Sequence, residues 1–182
     1  ERELAESEQT LAADEERPRL LEKQLLSVPG SRFTYALGRL VLVHRQSVNL
    51  HSSQLASLFE PGATIAIANP KTAPYGRAAK QTLLHLGIDL SQMRIVTSLN
   101  VALCYQLWSS GNVDLALVSG SQNPPPEAIN IPANMHTEIK QQAIMLDTAK
   151  GNSAAWEFMA FMNSSAARTV IVRHGYGLAD PI

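Results

Sequence analysis

The sequence predicts an α/β fold built on a parallel or mixed sheet. Three observations carry that prediction. Strand-like and helix-like stretches alternate from residue 32 to residue 122, and parallel strands need helical crossovers between them. The strand-like stretch "ATIAIA" (63–68) is nearly all apolar, and "VDLALVSGS" (113–121) carries the unbroken apolar run Leu115–Val118, the mark of strands covered on both faces. Gly87 and Gly111 stand just past helical stretches, where left-handed backbone closes a helix cheaply only without a Cβ.

Taken in order, residues 1–10 are polar and acidic with Leu4 and Leu11 seven apart, and read as a frayed helical tail. "TLAAD" (10–14) reads as a short strand end. "DEERPRLLEKQLL" (14–26) is a helix: acidic residues open it, Pro18 sits where a missing N–H does least harm, and Leu20, Leu21 and Leu25 form its apolar stripe. "SVPGS" ends it. "RFTYALGRLVLVHR" (32–45) is one long β-type run, and Gly38 inside it signals a bend or a close backbone approach. "SSQLASLF" is a short helix, followed by the strand "ATIAIA". "PYGRAAKQTLLHLG" (74–87) is a helix with Ala78, Leu83, Leu84 and Leu86 facing inward. Then come the strand "MRIVTS", the helix "LNVALCYQLWSSGN" and the strand "VDLALVSGS". "NPPPEAINIP" is a loop with an edge strand, and "IKQQAIML" a strand. "NSAAWEFMAFMNS" and "SAARTVIVRHG" are two consecutive helices, with Trp156, Phe158 and Phe161 expected in the core.

The 182 residues suffice for one large domain or two lobes, and 45% apolar with 17% charged residues is an ordinary globular composition. A net charge of −1 gives nucleic acid or an anionic membrane surface nothing to attract. No apolar run reaches the roughly 18 residues that span a bilayer. The start "ERELAESEQT" is charged where a signal peptide is apolar. One cysteine, Cys104, excludes an intrachain disulfide and a cysteine zinc site, and its mid-helix position reads as a buried, inert thiol. The histidines at 44, 51, 85, 136 and 174 have no metal-binding spacing, and His136 reads as an exposed turn residue. Ser119 lies in "SGS", not in a nucleophile elbow, and "GRAAK" is no P-loop. Nothing assembles an acid/base or nucleophile constellation, so an enzyme is not expected.

Three strand-to-helix turns remain, all expected on one edge, where ligands of open α/β sheets bind. In "NPKTAPYGRA" a helix starting near Pro74 leaves the N–H groups of Tyr75 and Gly76 without intrahelical acceptors. In "TSLNVALC" Asn100 is a good N-cap, and the Val101 N–H lies just inside the helix. In "LVSGSQ" Ser119 and Ser121 add hydroxyls, and Gly120 lets the backbone approach closely. Two helix N-termini and hydroxyls aimed at one spot would hold a small oxyanion without Arg or Lys.

The stretches "AADEERPRLLEKQ", "GSRFTYALGRLVLV", "IAIANPKTAPYGRAAKQTL", "NVALCYQLWSSGNVDLALVSGSQ", "IKQQAIML" and "SAARTVIVRHGYGL" occur in the order and spacing of a known family. From about Ala13 to the C-terminus the chain resembles the periplasmic molybdate-binding proteins of bacterial ABC transporters. The resemblance implies a type II periplasmic binding protein of two α/β lobes, entered by crossing strands near Tyr35–Gly38 and left near Gln141–Ile144. Residues 37–143 would form one complete lobe; residues 1–36 and 144–182 would be the remnant of the other. It implies molybdate or tungstate bound by neutral donors: the backbone N–H groups of Tyr75 and Val101 and the Ser119 hydroxyl, supported by Gly76, Asn100 and Ser121. No cofactor is implied, and the partners would be the oxyanion and the transporter's membrane subunits.

One departure stands out. Family members open with an apolar strand ending in an Ala-Ala-Ser-type turn, followed by a Ser-Ser-Gly turn, and neither occurs in this sequence. The expectation is therefore an incomplete site, and apolar surface that favours a homo-oligomer. The alternative is a shortened relative that has lost the oxyanion and serves as an interaction or scaffold module.

Overall fold

The computed structural model describes residues 9–12, 15–45 and 52–179; the expected helical tail lies, over residues 1–8, outside them. The chain divides into two compact units, Glu1–Leu37 with Lys140–Ile182 (unit 1) and Gly38–Ile139 (unit 2).

Unit 2 carries a five-stranded sheet. Its strands are β3 (Leu40–His44), β4 (Thr64–Ala68), β5 (Arg94–Ser98), β6 (Leu115–Ser119) and β7 (Ile129–Asn130), preceded in the chain by β1 (Gln9–Ala12) and β2 (Phe33–Gly38) of unit 1. The order is β5-β4-β6-β3-β7. β4 runs parallel to both β5 and β6, while β3 is antiparallel to β6 and β7, so the sheet is mixed. Its apolar strands split their side chains by parity. Leu40, Leu42, Ile65, Ile67, Leu115 and Leu117 pack into one core with Ala78, Ala79 and Leu83 of the helix Pro74–His85. Val41, Val43, Ala66, Ala68, Ala116 and Val118 pack into another with Cys104 of the helix Val101–Ser109. Both faces are covered, which is why these strands contain almost no polar residue. The single β run expected over 32–45 is two strands broken at Arg39, with Gly38 at the break.

Unit 1 holds α1 (Glu16–Lys23) and a sheet in which β8 (Ile139–Met145) lies between β1 and β2, antiparallel to β1 with Gln9 opposite Met145. In chain order the unit 2 helices are α2 (Pro74–His85) and α3 (Val101–Ser109), and unit 1 closes with α4 (Ser153–Met162) and α5 (Ser165–Arg173). The unit 1 core gathers Phe33, Ala143, Met145, Ala149, Ala155 and Met159. Asn152 caps α4 by accepting from the Ala154 and Ala155 N–H groups, and Ser164 caps α5 through Ala167.

Several local expectations change. Gln9 and Thr10 belong to a strand, not to a helical tail. Leu84 is 57% exposed: Tyr75, Ala78, Ala79, Thr82 and Leu83 already occupy the inward stripe of α2, and Leu84 lies a further 100° round. Leu20 and Leu25 are exposed: Pro18 is the residue that α1 buries, and Leu25 lies past the helix end at Lys23, where it turns left-handed at φ 57°. Trp156, Phe158 and Phe161 also face solvent, since Ala155, Met159 and Met162 take the inward face of α4.

Candidate functional site

Three carboxyl ends stand side by side in unit 2. β4 and β5 are paired in register up to Ala68 opposite Ser98, and β6 flanks β4 in parallel on its other side. The chain leaves β4 through an Asn69 turn in which the Asn69 side chain accepts from the Lys71 N–H at 3.0 Å, and the Asn69 N–H donates to the Ser98 carbonyl at 2.8 Å. The first two βα turns are thus tied to each other. α2 and α3 start from neighbouring strands, and the third turn opens at Ser119, the last residue of β6.

The two helix starts differ. α2 has Pro74 at its first position and no side-chain cap from Ala73, and its ladder begins with the Arg77 N–H on the Ala73 carbonyl at 3.0 Å. Tyr75 and Gly76 precede that ladder and are both buried. A Cβ on Gly76 would stand 2.3 Å from the Ala68 carbonyl oxygen, so only glycine lets the first turn of α2 sit down on the end of β4. α3 is capped: the Asn100 side chain accepts from the Leu103 N–H at 2.9 Å, while the N–H groups of Val101 and Ala102 precede the ladder that opens at Cys104. Ser98 holds this turn from below. Its Oγ donates to the Asn100 carbonyl at 2.9 Å and lies 2.8 Å from the Cys104 sulfur. With its one proton on Asn100, the Ser98 hydroxyl accepts from the thiol. Burial pushes the Cys104 thiol up from the ordinary range, so it is a structural donor and no nucleophile at neutral pH.

Ser119 is buried and its hydroxyl is fully engaged. It donates to the Tyr75 phenol oxygen at 2.8 Å, meets the Ser121 hydroxyl at 2.8 Å and accepts from the Ser121 N–H at 3.3 Å. The Tyr75 ring lies against Gly38, where an added Cβ would come within 2.4 Å of the phenol oxygen. Gly38 also forms one wall of a cavity of about 250 Å³ that Arg39, Asn130 and His136 share. Half-buried, His136 has its Nδ1 2.8 Å from the Thr137 carbonyl.

The structure thus brings Tyr75, Ser119 and Ser121 into one hydroxyl chain. It seats Gly76 on β4 and sets Asn100 and Val101 at the adjoining helix start. Sequence reasoning missed the support given by Ser98 and Cys104, and nothing in a single sequence marks such a pair six residues apart. The close approach at Gly38 was signalled by a glycine inside a β run, but not its partner 37 residues away. Among the described residues no group of three or more His, Cys, Asp or Glu could hold a metal ion, and no helix is long and apolar enough to cross a membrane.

Residues 5–177 match the family of bacterial extracellular solute-binding proteins. The chain is 35% identical over 175 residues to the molybdate-binding protein ModA of Azotobacter vinelandii, covering 92% of this chain and 69% of that protein. It is 32% identical to the Rhodobacter capsulatus ModA over 91% of this chain and 67% of that protein. The solved Azotobacter vinelandii periplasmic molybdate-binding protein superposes with a TM-score of 0.83 at 34% identity, covering 94% of this chain and 78% of the other. The substrate-binding domain of a Clostridium difficile molybdenum ABC transporter, 20% identical over 94% of this chain and 77% of its own, shares the fold at a TM-score of 0.75. Family match, identity and fold agree: the chain belongs to the bacterial extracellular solute-binding proteins.

Proposed function

We propose that the chain binds a small tetrahedral oxyanion of the molybdate and tungstate class at the carboxyl edge of unit 2. It would do so in the periplasm, as the substrate-binding component of an ABC uptake system whose membrane subunits are its partners. The observation that carries this reading is the pairing of β4 and β5 up to Ala68 and Ser98, which launches two helix starts from adjacent parallel strands. Each helix start concentrates about half a positive charge on N–H groups that have no intrahelical acceptor, and the family's named relatives bind molybdate. Neutral donors suit a ligand that must be released again. Each hydrogen bond to a charged group contributes about 1.5–3 kcal/mol, so a few pre-aimed N–H groups bind a dianion firmly without a buried cation. The site would bind and release its ligand unchanged, with no cofactor and no catalysed reaction.

Thermal shift and calorimetry with molybdate, tungstate, sulfate and phosphate test the reading. Stabilisation by micromolar molybdate or tungstate, with none from sulfate at the same concentration, is the expected result. No shift with any of the four at millimolar concentration overturns it.

One observation favours a second reading, an interaction module that pairs with a second copy. Leu25, Trp156, Phe161, Val170 and Val172 of unit 1 are large, apolar and exposed, and apolar surface of that kind drives association when it is contiguous. Light scattering after size exclusion decides it: a dimer that persists without oxyanion supports the module, and a monomer at all concentrations removes it.

A further inference from the structure

We infer that Ser119 is a positioning residue: its hydroxyl is spent on holding the Tyr75 phenol, and through it the first turn of α2, and it does not donate to the oxyanion. The ligand part of this inference rests on the oxyanion reading above.

A serine hydroxyl has one proton and two lone pairs. The Ser119 proton goes to the Tyr75 oxygen, 2.8 Å away. Its lone pairs face the Ser121 N–H at 3.3 Å and the Ser121 hydroxyl at 2.8 Å. With the Ser119 proton committed, Ser121 is the donor in that hydroxyl pair. Nothing is left on Ser119 to give a ligand. The bond it makes is instead well placed to act at a distance. Tyr75 is the second residue of α2, so its ring leaves the backbone at the same residue whose N–H precedes the helical ladder. Ser119 ends β6. The hydroxyl pair therefore pins the start of α2 to the end of β6, and Gly38 supplies the space in which the phenol lies, since any Cβ there would overlap it. A donor aimed at an anion binds well only if its direction is held by its surroundings.

A double-mutant cycle separates holding from donating. Tyr75→Phe and Ser119→Ala each remove the bond between the two hydroxyls; Ser119→Ala also removes the two contacts with Ser121, and Ser121→Ala run beside it measures what those contribute. Each of the first two is expected to weaken molybdate binding about three- to tenfold by calorimetry. The double variant should be no weaker than the worse single, because one bond cannot be lost twice. Ser119→Thr, which keeps a hydroxyl, should recover most of the affinity. Losses that multiply in the double variant, or a Ser119→Ala loss with Tyr75→Phe unchanged, overturn the inference by making Ser119 a donor in its own right. If the wild-type chain binds no molybdate, the oxyanion reading fails separately, and amide hydrogen exchange at Tyr75 and Gly76 decides the anchor. Both single variants should then speed exchange at those amides equally and the double no further; exchange unchanged in the singles overturns the anchor as well.

Discussion

In unit 2 the sheet buries both faces, one under α2 and the other under α3. In unit 1, α4 lays a single row, Ala155, Met159 and Met162, on the sheet and turns Trp156, Phe158 and Phe161 to solvent. The central strand β8 of unit 1 is also buried on both faces, Ile144 as fully as Met145, so the two regions differ in the outer row of the helix, which is aromatic on α4 and polar but for Leu84 on α2. The difference shows why composition alone misleads. An aromatic-rich helix such as α4 and an alanine-rich one such as α2 look respectively more and less buried than they are, because facing is set by which row meets the sheet. It also shows where precision is stored. Unit 2 holds its turns by backbone-to-backbone approach, and a change of one methyl group is felt there.

The sharpest break in that comparison comes from one substitution made in each region. In Gly76→Ala the new methyl group meets the backbone oxygen of Ala68 at 2.3 Å, and a carbonyl in a central strand cannot swing aside as a side chain would. We expect a loss of about 3 kcal/mol in urea unfolding, together with loss of molybdate binding, since the first turn of α2 must lift off β4. Gly151 in unit 1 has nothing within 4 Å of its added Cβ and no left-handed backbone. Gly151→Ala should be neutral or stabilise by about 0.4–1 kcal/mol, through the unfolded chain. Equal costs at the two positions would mean that unit 2 yields as readily as unit 1, and the comparison would collapse.

The alternation of strand and helix, the doubly covered strands β4 and β6 and the caps at Asn100, Asn152 and Ser164 rest on local signals: periodicity, composition and short-range hydrogen bonds. Those signals are printed in the residues themselves. The antiparallel course of β3 is not, because a strand reads the same in either direction. The exposure of Leu84, Trp156 and Phe161 is not printed either, since adjacent apolar residues on a helix compete for one inward row and only the packing partner decides. For the candidate site, the sequence marks its turns, through Pro74, Gly76 and Asn100, more clearly than its wiring. The Ser119–Tyr75 bond joins residues 44 apart, and Ser98–Cys104 lies beneath a turn whose composition says nothing of it.

The exposed aromatic row of α4 can be tested with a smaller perturbation. Phe161 is 49% exposed and its ring lies 6.5 Å from that of Phe158, centre to centre. Phe161→Gln leaves the inward row of α4 untouched, so its cost in stability should stay within about 0.5 kcal/mol. If a second copy covers this row, the apparent mass in light scattering falls toward that of the monomer in the variant. An unchanged dimer would place the contact elsewhere, and a stability loss of several kcal/mol would show that the row is packed after all, closing the gap between the two regions.

The last effect runs in the opposite direction, toward a gain in stability, and falls in unit 2. In unit 1 the buried Gln142 side chain is satisfied at both ends, donating to the Thr34 hydroxyl at 3.0 Å and accepting from Arg32 at 3.1 Å. In unit 2 Thr82 is fully buried on the inward face of α2, and its hydroxyl has no partner among the described residues. A buried hydroxyl without a hydrogen bond has given up water for nothing. Thr82→Val keeps the shape, the branching at Cβ and nearly the same helix propensity, and removes only that unmet group. Unfolding should therefore require about 1 kcal/mol more free energy in the variant, with molybdate binding unchanged because Thr82 lies two turns beyond Tyr75. A loss instead of a gain would mean that the hydroxyl is satisfied in solution, by water or by the helix carbonyl one turn back. The dense packing of unit 2 would then be wetter than its apolar strands suggest.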